Sequence, residues 1–193
     1  MKITLPARIT MRLFHHLVLR QGGAIDRAPD YIVGSTDPEG PYLMRWYVTR
    51  WRGWFAQVPT DALRWWQRAI LAVTKRLPNL YVHRFLRSDD DRALHDHPSA
   101  AVSLLLAGQY TEHTIANGGI HRRQVFRAGD LRYLPLRHTH RIEVGQGSEV
   151  WTLFLFFPRV RDWGFHCPQR GWVPWREFTA DGKPGEIGPG CGE

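Results

Sequence analysis

Two histidine pairs, each with one residue between its members, are the side chains in this sequence best suited to bind a metal ion. In a strand, the alternation of side chains would place His95 and His97 on one face and Asp96 on the other. His138 and His140 share a face in the same way. If adjacent strands bring the two pairs together, three neutral imidazoles can converge at about 2.0–2.2 Å from one ion. Such a site suits Zn, Fe, Ni or Cu and leaves positions open for water or substrate.

Short strands separated by tight turns must position these histidines. From Leu80 onward, runs rich in β-branched and aromatic residues alternate with turns such as Asn117-Gly118-Gly119. Regular short strands at this spacing are typical of an all-β barrel or sandwich. The sequence therefore predicts a mainly β fold.

The spacing of these residues resembles the two sequence motifs of the cupin superfamily over about residues 80–160. The first motif is matched by His95, His97 and Gly108, and the second by Gly129, Pro135 and His140. The resemblance implies a cupin barrel, which is a jelly-roll-like double-stranded β-helix. It also implies one divalent transition metal (Fe, Zn, Ni or Mn) bound by His95, His97 and His140.

The sequence departs from the cupin motifs at two positions. The usual glutamate ligand of the first motif would fall at Ala101 or Val102, and Arg137 replaces a glycine of the second. A site of three histidines is therefore expected, with Glu112 as a possible substitute carboxylate from a neighbouring strand. His138 competes with His140 because the two share a face, and only the register with Pro135 favours His140.

A narrower resemblance rests on four segments. HRFLRSDDDRALHDHP at 83–98, GQYTEHT at 108–114, WGFHCPQRGWVPWREF at 163–178 and the GCGE ending look like a group of uncharacterised cupin-like proteins from bacteriophages and prophages. That resemblance implies no reaction, and it implies a host cytoplasm as the location if the chain is phage-encoded.

Further polar residues lie near the motif strands. Arg84, Arg132 and Tyr133 are candidates for binding a substrate, and Arg87 and Arg141 could also pair with a carboxylate or phosphate. The remaining histidines in this part of the chain are expected at the surface or behind the metal ligands; they are His83, His113, His121 and His166.

We expect residues 1–193 to form a single cupin-like domain. Residues 1–79 would contain N-terminal strands and a helix, residues 80–160 the barrel core, and residues 161–193 an irregular Trp-rich segment that packs on the barrel. In the helical, Trp-rich insertion at 42–79, a strand is predicted over 42–52. Thr60 is the predicted N-cap of a helix over 61–75, whose apolar face would pack on the core, contact a second copy in a homodimer, or lie on a membrane surface.

The formal net charge of +8 suits an anionic partner. The sequence contains no nucleic-acid-binding motif, however, so a small-molecule ligand is expected instead of a nucleic acid. No secretory signal or long apolar run is present, which predicts a cytoplasmic protein. In a reducing compartment Cys167 and Cys191 would be free thiols.

Three functions agree with these features. The first is a metal-dependent cupin enzyme of the non-haem Fe(II) dioxygenase type that acts on a small polar or anionic substrate. The second is a non-catalytic cupin that binds or senses a small ligand. The third is a metal-free cupin like the sugar-nucleotide epimerases, which needs a histidine base and a tyrosine acid such as Tyr110 or Tyr133. The sequence leaves open whether the chain is an enzyme.

Overall fold

Strands dominate the computed structural model, which describes residues 2–35, 40–55, 58–89, 93–180 and 188–192. The strands are β1 (Lys2–Thr4), β2 (Tyr31–Val33), β3 (Leu43–Tyr47), β4 (Asn79–Phe85), β5 (Leu94–His95), β6 (Ala101–Ala107), β7 (Gln109–Ala116), β8 (Ile120–Arg127), β9 (Asp130–Leu134), β10 (Arg141–Val144), β11 (Val150–Phe156), β12 (Gly164–Cys167) and β13 (Gly171–Pro174). The helices are α1 (Ala7–Phe14), α2 (Trp65–Thr74) and α3 (Trp175–Phe178), with a π-helical turn at His15–Leu19 and a 3-10 turn at Arg50–Gly53. The predicted mainly β fold is confirmed.

Two antiparallel sheets enclose the main core. A seven-stranded sheet has the order β1-β9-β6-β11-β4-β3-β2, and a three-stranded sheet has the order β10-β7-β8. Leu105 and Val150 of the first sheet pack with Tyr110, Phe126 and Ile142 of the second. Burial of each aliphatic side chain of this kind contributes about 1.5–3 kcal/mol. This apolar core fills one end of the space between the sheets, and the histidines lie at the other end.

The outer face of the seven-stranded sheet is covered by the N-terminal helical segment. Trp46, Val82, Leu104 and Trp151 form a second core there with Val18 of the π-helical turn. The alternation of side chains along each strand therefore gives this sheet two buried faces. No helix in the described ranges is long and apolar enough to span a membrane.

Two motif glycines stand where a side chain would not fit. Gly108 has a φ of +82°, and a Cβ built on it would lie 2.3 Å from the carbonyl oxygen of Glu149. Gly129 has a φ of +97°, and its Cβ would lie 2.9 Å from the carbonyl oxygen of Leu5. Glycine alone adopts these conformations without strain. Arg137, which replaces the third motif glycine, does not have a positive φ.

The insertion differs from the prediction at both of its elements. The strand predicted over 42–52 ends at Tyr47, because the chain turns into the 3-10 turn at Arg50–Gly53. The helix begins at Trp65 and not at residue 61, because residues 59–62 form a turn in which Ala62 N–H donates to the Pro59 carbonyl. Trp65 is 81% exposed and Val73 61% exposed, so these two side chains do not pack on the core of this chain. A contact of the helix with a second copy or with a membrane surface stays a prediction.

The C-terminal segment is more regular than predicted. Strands β12 and β13 form a hairpin that extends β5 into a third sheet, and Phe165, Val173 and Phe178 form its core. The prediction of free thiols is wrong, because Cys167 and Cys191 form a disulfide with Cα atoms 5.5 Å apart. Gly190 N–H donates to the Phe178 carbonyl, which returns the chain end to this core. Residues 181–187 and 193 of the predicted Trp-rich segment lie outside the described residues.

Candidate metal centre

Three imidazoles converge at the polar end of the space between the sheets. His95 and His140 exchange two backbone hydrogen bonds of 2.9 and 3.0 Å, which places their side chains next to each other. His97 follows two residues later, and its Nε2 lies 2.8 Å from Nε2 of His140. One ring nitrogen from each of the three lies within 4.8 Å of the others. The structure thus brings His95, His97 and His140 together, as the sequence predicts.

Carboxylates lie behind two of these imidazoles. Glu112 of β7 is 4% exposed, and its Oε1 is 2.5 Å from Nδ1 of His140. Asp89 is also buried, and its Oδ2 is 3.6 Å from Nδ1 of His95. The distance from Asp89 is too long for a hydrogen bond, so only Glu112 can fix the tautomer and ring orientation of the histidine in front of it. Asp89 is a site residue that the sequence analysis missed.

Glu112 and His140 also belong to a second group of potential ligands with His138. Nε2 of His138 lies 2.9 Å from Oε1 of Glu112. Together the ligand atoms of Glu112, His138 and His140 lie within 4.8 Å of one another. The two groups share His140 but approach it from different nitrogens, because Glu112 contacts Nδ1 whereas His97 contacts Nε2. A metal bound by one group is therefore distinct from a metal bound by the other.

A buried arginine neutralises the carboxylate of Glu112. Arg132 of β9 is 5% exposed, forms an ion pair with Glu112, and donates to the hydroxyl of Tyr110 at 2.9 Å. Burial raises the pKa of Tyr110 to about 12. The predicted substrate residue Arg132 thus reaches the site, but its guanidinium is already engaged by protein groups.

The protonation states at the site suit a metal. Burial lowers the pKa of His97 well below 6.5, and the neighbouring imidazoles lower it further. Burial also lowers the pKa of His140 to about 3, although Glu112 opposes the shift. Burial by itself would raise the pKa of Glu112, but hydrogen bonds from His138 and His140 and the charge of Arg132 hold it well below 4.5. A neutral His140 that donates Nδ1–H to this carboxylate leaves Nε2 free to bind a metal, so the donors fit a divalent transition ion.

Two other predicted substrate residues lie away from the site. Arg84 pairs with Glu149 and stacks over Trp151, which belongs to the outer core. Tyr133 is 49% exposed and alternates with the inward-facing Arg132. Neither side chain is near the imidazoles, because each adjoins an inward-facing residue in its strand and so points to the opposite face.

Asp96 points away from the imidazoles on either side of it, as predicted. Its buried carboxylate accepts hydrogen bonds from Gly164 N–H at 2.9 Å and Trp172 Nε1–H at 3.1 Å, and it forms an ion pair with Arg161. His166 contacts it at 3.2 Å. Asp96 therefore fastens the C-terminal hairpin to the segment that carries His95 and His97.

His83 and His113 are not at the surface. His83 of β4 is 5% exposed, faces the space between the sheets, and stacks on Phe154 with ring centroids 5.2 Å apart. His113 of β7 is 2% exposed and lies on the opposite face of its sheet from Glu112. Of the two positions expected for these histidines, the surface is therefore excluded for both, because partner side chains cover them.

No family model matches the sequence, and no curated protein is similar to it. Among solved structures, an oxalate decarboxylase from Bacillus subtilis at pH 4.6 is 14% identical, with a TM-score of 0.45. The same enzyme, in a structure concerned with its Mn(II) centres, is 13% identical with a TM-score of 0.44. Each alignment covers 74% of this chain but only 30% of the enzyme. These similarities are too weak to assign a function.

Proposed function

We propose that this chain is a metal-binding cupin that holds one divalent transition metal through His95, His97 and His140. The observation that carries the proposal is the convergence of three imidazoles. Burial lowers the pKa of two of them, His97 and His140, which favours neutral rings that can bind a metal. The cupin motifs in the sequence support the same ligands. The resemblance to phage and prophage proteins stays a prediction.

The charge of Arg132 favours the three histidines over the group of Glu112, His138 and His140. Its guanidinium contacts both Oε1 of Glu112 and Nε2 of His138, so a dication at that point would lie against a cation. Glu112 then orients His140 and does not bind the metal. The contacts of His97 are instead with the imidazole of His140 and the rings of Phe154 and Phe156.

A half-exposed wall beside the imidazoles gives a substrate access to the site. His97 lies 6.3 Å from the rings of both Phe154 and Phe156, measured between centroids, and all three side chains are half-buried. Three protein ligands leave positions at which a bound metal would polarise a substrate or water and, if it is iron, support oxygen chemistry. We therefore propose an Fe(II) dioxygenase type of enzyme acting on a small polar or anionic substrate.

Metal content tests the binding proposal. Protein purified without chelator or nickel affinity should contain close to one transition metal ion per chain. His95→Ala should lose the metal, whereas His138→Ala should keep it, because His138 belongs only to the alternative group. The reverse pattern would place the ion at Glu112, and a folded native chain that takes up no metal would contradict the proposal.

Oxygen consumption tests the enzymatic part. After anaerobic reconstitution with Fe(II), the chain should consume oxygen in the presence of a small thiol, diol, sugar or carboxylic acid. The same substrate should give no consumption with His95→Ala. If the metal binds and no candidate is consumed, the non-catalytic binding or sensor protein is the better description.

A further inference from the structure

Arg45 is a half-buried cation on the inner face of the seven-stranded sheet. It lies opposite His83 in the pairing of β3 with β4, and its Nε donates to Nε2 of His83 at 2.9 Å. Its guanidinium carbon lies 5.0 Å from the ring centroid of Tyr81 and 5.8 Å from that of Tyr31. Aromatic rings at these distances attract a guanidinium and hold it in place, but they do not neutralise its charge.

No carboxylate among the described residues pairs with Arg45. A second inward-facing arginine, Arg132, is by contrast neutralised by Glu112, and the nearby Asp130 pairs with Lys2. Burial and the charge of Arg45 both lower the pKa of His83, so the imidazole is neutral and accepts the Nε hydrogen bond. The N–H groups of this half-buried guanidinium are held in a fixed orientation, and no carboxylate in the described part of the chain neutralises its charge. It is therefore suited to bind an anion from outside the chain.

Two phenylalanines of β11, Phe154 and Phe156, lie between Arg45 and the histidines of the candidate metal centre. Phe154 stacks on His83 at 5.2 Å and lies 6.3 Å from His97, measured between ring centroids. Phe156 lies 6.4 Å from Tyr81 and 6.3 Å from His97. Phe154 and Phe156 are both half-buried, so they form an accessible apolar wall between the cation and the histidines.

We propose that Arg45 binds the carboxylate or phosphate of a small molecule whose planar, apolar body lies on Phe154 and Phe156. The end of the small molecule opposite its anionic group would face His97. Only this orientation toward His97 rests on the proposed metal function. His83 is a positioning residue, because it orients the guanidinium of Arg45 and does not contact the anion.

Binding of matched aromatic probes tests this site. Phenylacetate and phenyl phosphate are titrated into the Zn-loaded full chain by calorimetry, with the neutral isostere 2-phenylacetamide as the comparison. At least one anion should bind at least about tenfold more tightly than the amide, as expected for a hydrogen-bonded charge pair. The two anions distinguish a carboxylate site from a phosphate site. If neither anion binds, or if the amide binds equally well, the proposal is overturned.

Variants locate the anion. Arg45→Gln should weaken binding of the preferred anion at least about tenfold, Arg45→Lys should weaken it less, and Arg84→Gln on the outer face should leave it unchanged. Equal affinity in Arg45→Gln and the native chain would overturn the proposal. Should Arg45→Gln fail to fold, the Nε–H resonance of Arg45 in the native chain must shift on addition of the anion, and an unchanged resonance would overturn it.

Metal analysis of the same samples separates the two proposals. Arg45→Gln should retain the native metal content, because no contact joins Arg45 to His95, His97 or His140 among the described residues. If the native chain holds no metal but binds phenylacetate through Arg45, the anion site stands and the metal function fails. If the chain holds metal but Arg45→Gln does not alter anion binding, the metal function stands and the anion site fails.

Discussion

Two histidine clusters in this chain have similar members but different geometry. In the interior cluster, His97 lies on the Nε2 side of His140 and Glu112 lies on its Nδ1 side, and the ring of His95 is 4.8 Å from that of His140 between centroids. In the outer cluster, Nδ1 of His113 lies 2.9 Å from His121, and its Nε2 lies 2.6 Å from Glu143. Both clusters therefore contain a histidine between another imidazole and a carboxylate.

The clusters differ in how many imidazole nitrogen atoms converge on one point. The interior cluster offers two further imidazoles beside His140, whereas His113 has one partner on each edge of its ring. Among the described residues, the outer cluster does not form a group of three converging ligand atoms. His121 and Glu143 are also exposed to water. A contact between histidine and carboxylate is thus common to both clusters, and only the interior one has the arrangement that a metal requires.

The largest expected effect is a difference in metal content between variants of the interior cluster and variants of the outer cluster. His97→Ala should reduce the metal from about one ion per chain to near zero, because it removes one of three ligands. His121→Ala should retain the native content. Inductively coupled plasma mass spectrometry of both purified variants measures this, and equal loss in the two variants would remove the distinction between the clusters.

A smaller effect is expected from the carboxylates. Glu112→Gln should weaken metal affinity by about 10- to 100-fold, because the charged acceptor behind His140 is lost. It should also destabilise the fold by about 3–5 kcal/mol, since the buried Arg132 is left unpaired. Glu143→Gln should change neither quantity appreciably. Competition with a chelator gives the affinity and urea unfolding gives the stability; an unaltered affinity in Glu112→Gln would argue against the role of Glu112.

The smallest expected effect concerns burial of a neutral interior imidazole. The pKa of His83 is held well below 6.5 by burial and by Arg45. In the unfolded chain the imidazole of His83 takes up a proton near pH 6.5, whereas in the folded chain it stays neutral. The free energy of unfolding therefore falls as the pH drops below 6.5. Between pH 7.5 and 5.5, this histidine should account for about 1.4 kcal/mol of the loss.

Urea unfolding at the two pH values, with chelator present, measures that loss. In His83→Gln the decrease in the free energy of unfolding should be smaller by this amount, whereas His121→Gln should resemble the native chain. The same decrease in His83→Gln and the native chain would mean that the folded chain protonates His83 freely.

Local periodicity explains why part of the site was predictable. The alternation of side chains is enough to set His95 and His97 on the face opposite Asp96, and the structure has this arrangement. The same rule also explains why two predicted substrate-binding residues lie away from the site. Arg84 and Tyr133 each lie one residue from an inward-facing side chain, and a shift of one residue moves a side chain to the other face of a sheet. Proximity in sequence to the motif strands therefore does not place a residue in the site.

Long-range pairing accounts for what the sequence did not reveal. Arg45 meets His83 only because β3 pairs with β4 in one register. The disulfide joins Cys167 to Cys191, which are separated by 24 residues, after the chain end returns to the third sheet. Neither of these contacts leaves a local pattern, because each depends on the packing of segments that are distant in sequence.

X-ray absorption spectroscopy of the metal-loaded chain tests the central claim most directly. The three-histidine centre predicts scattering from three imidazoles at about 2.0–2.1 Å, with the remaining positions occupied by light solvent atoms. Glu112→Gln, once saturated with metal, should retain the same three imidazoles. A native spectrum with two imidazoles and a carboxylate, which loses the carboxylate in Glu112→Gln, would contradict the account and assign the metal to Glu112, His138 and His140.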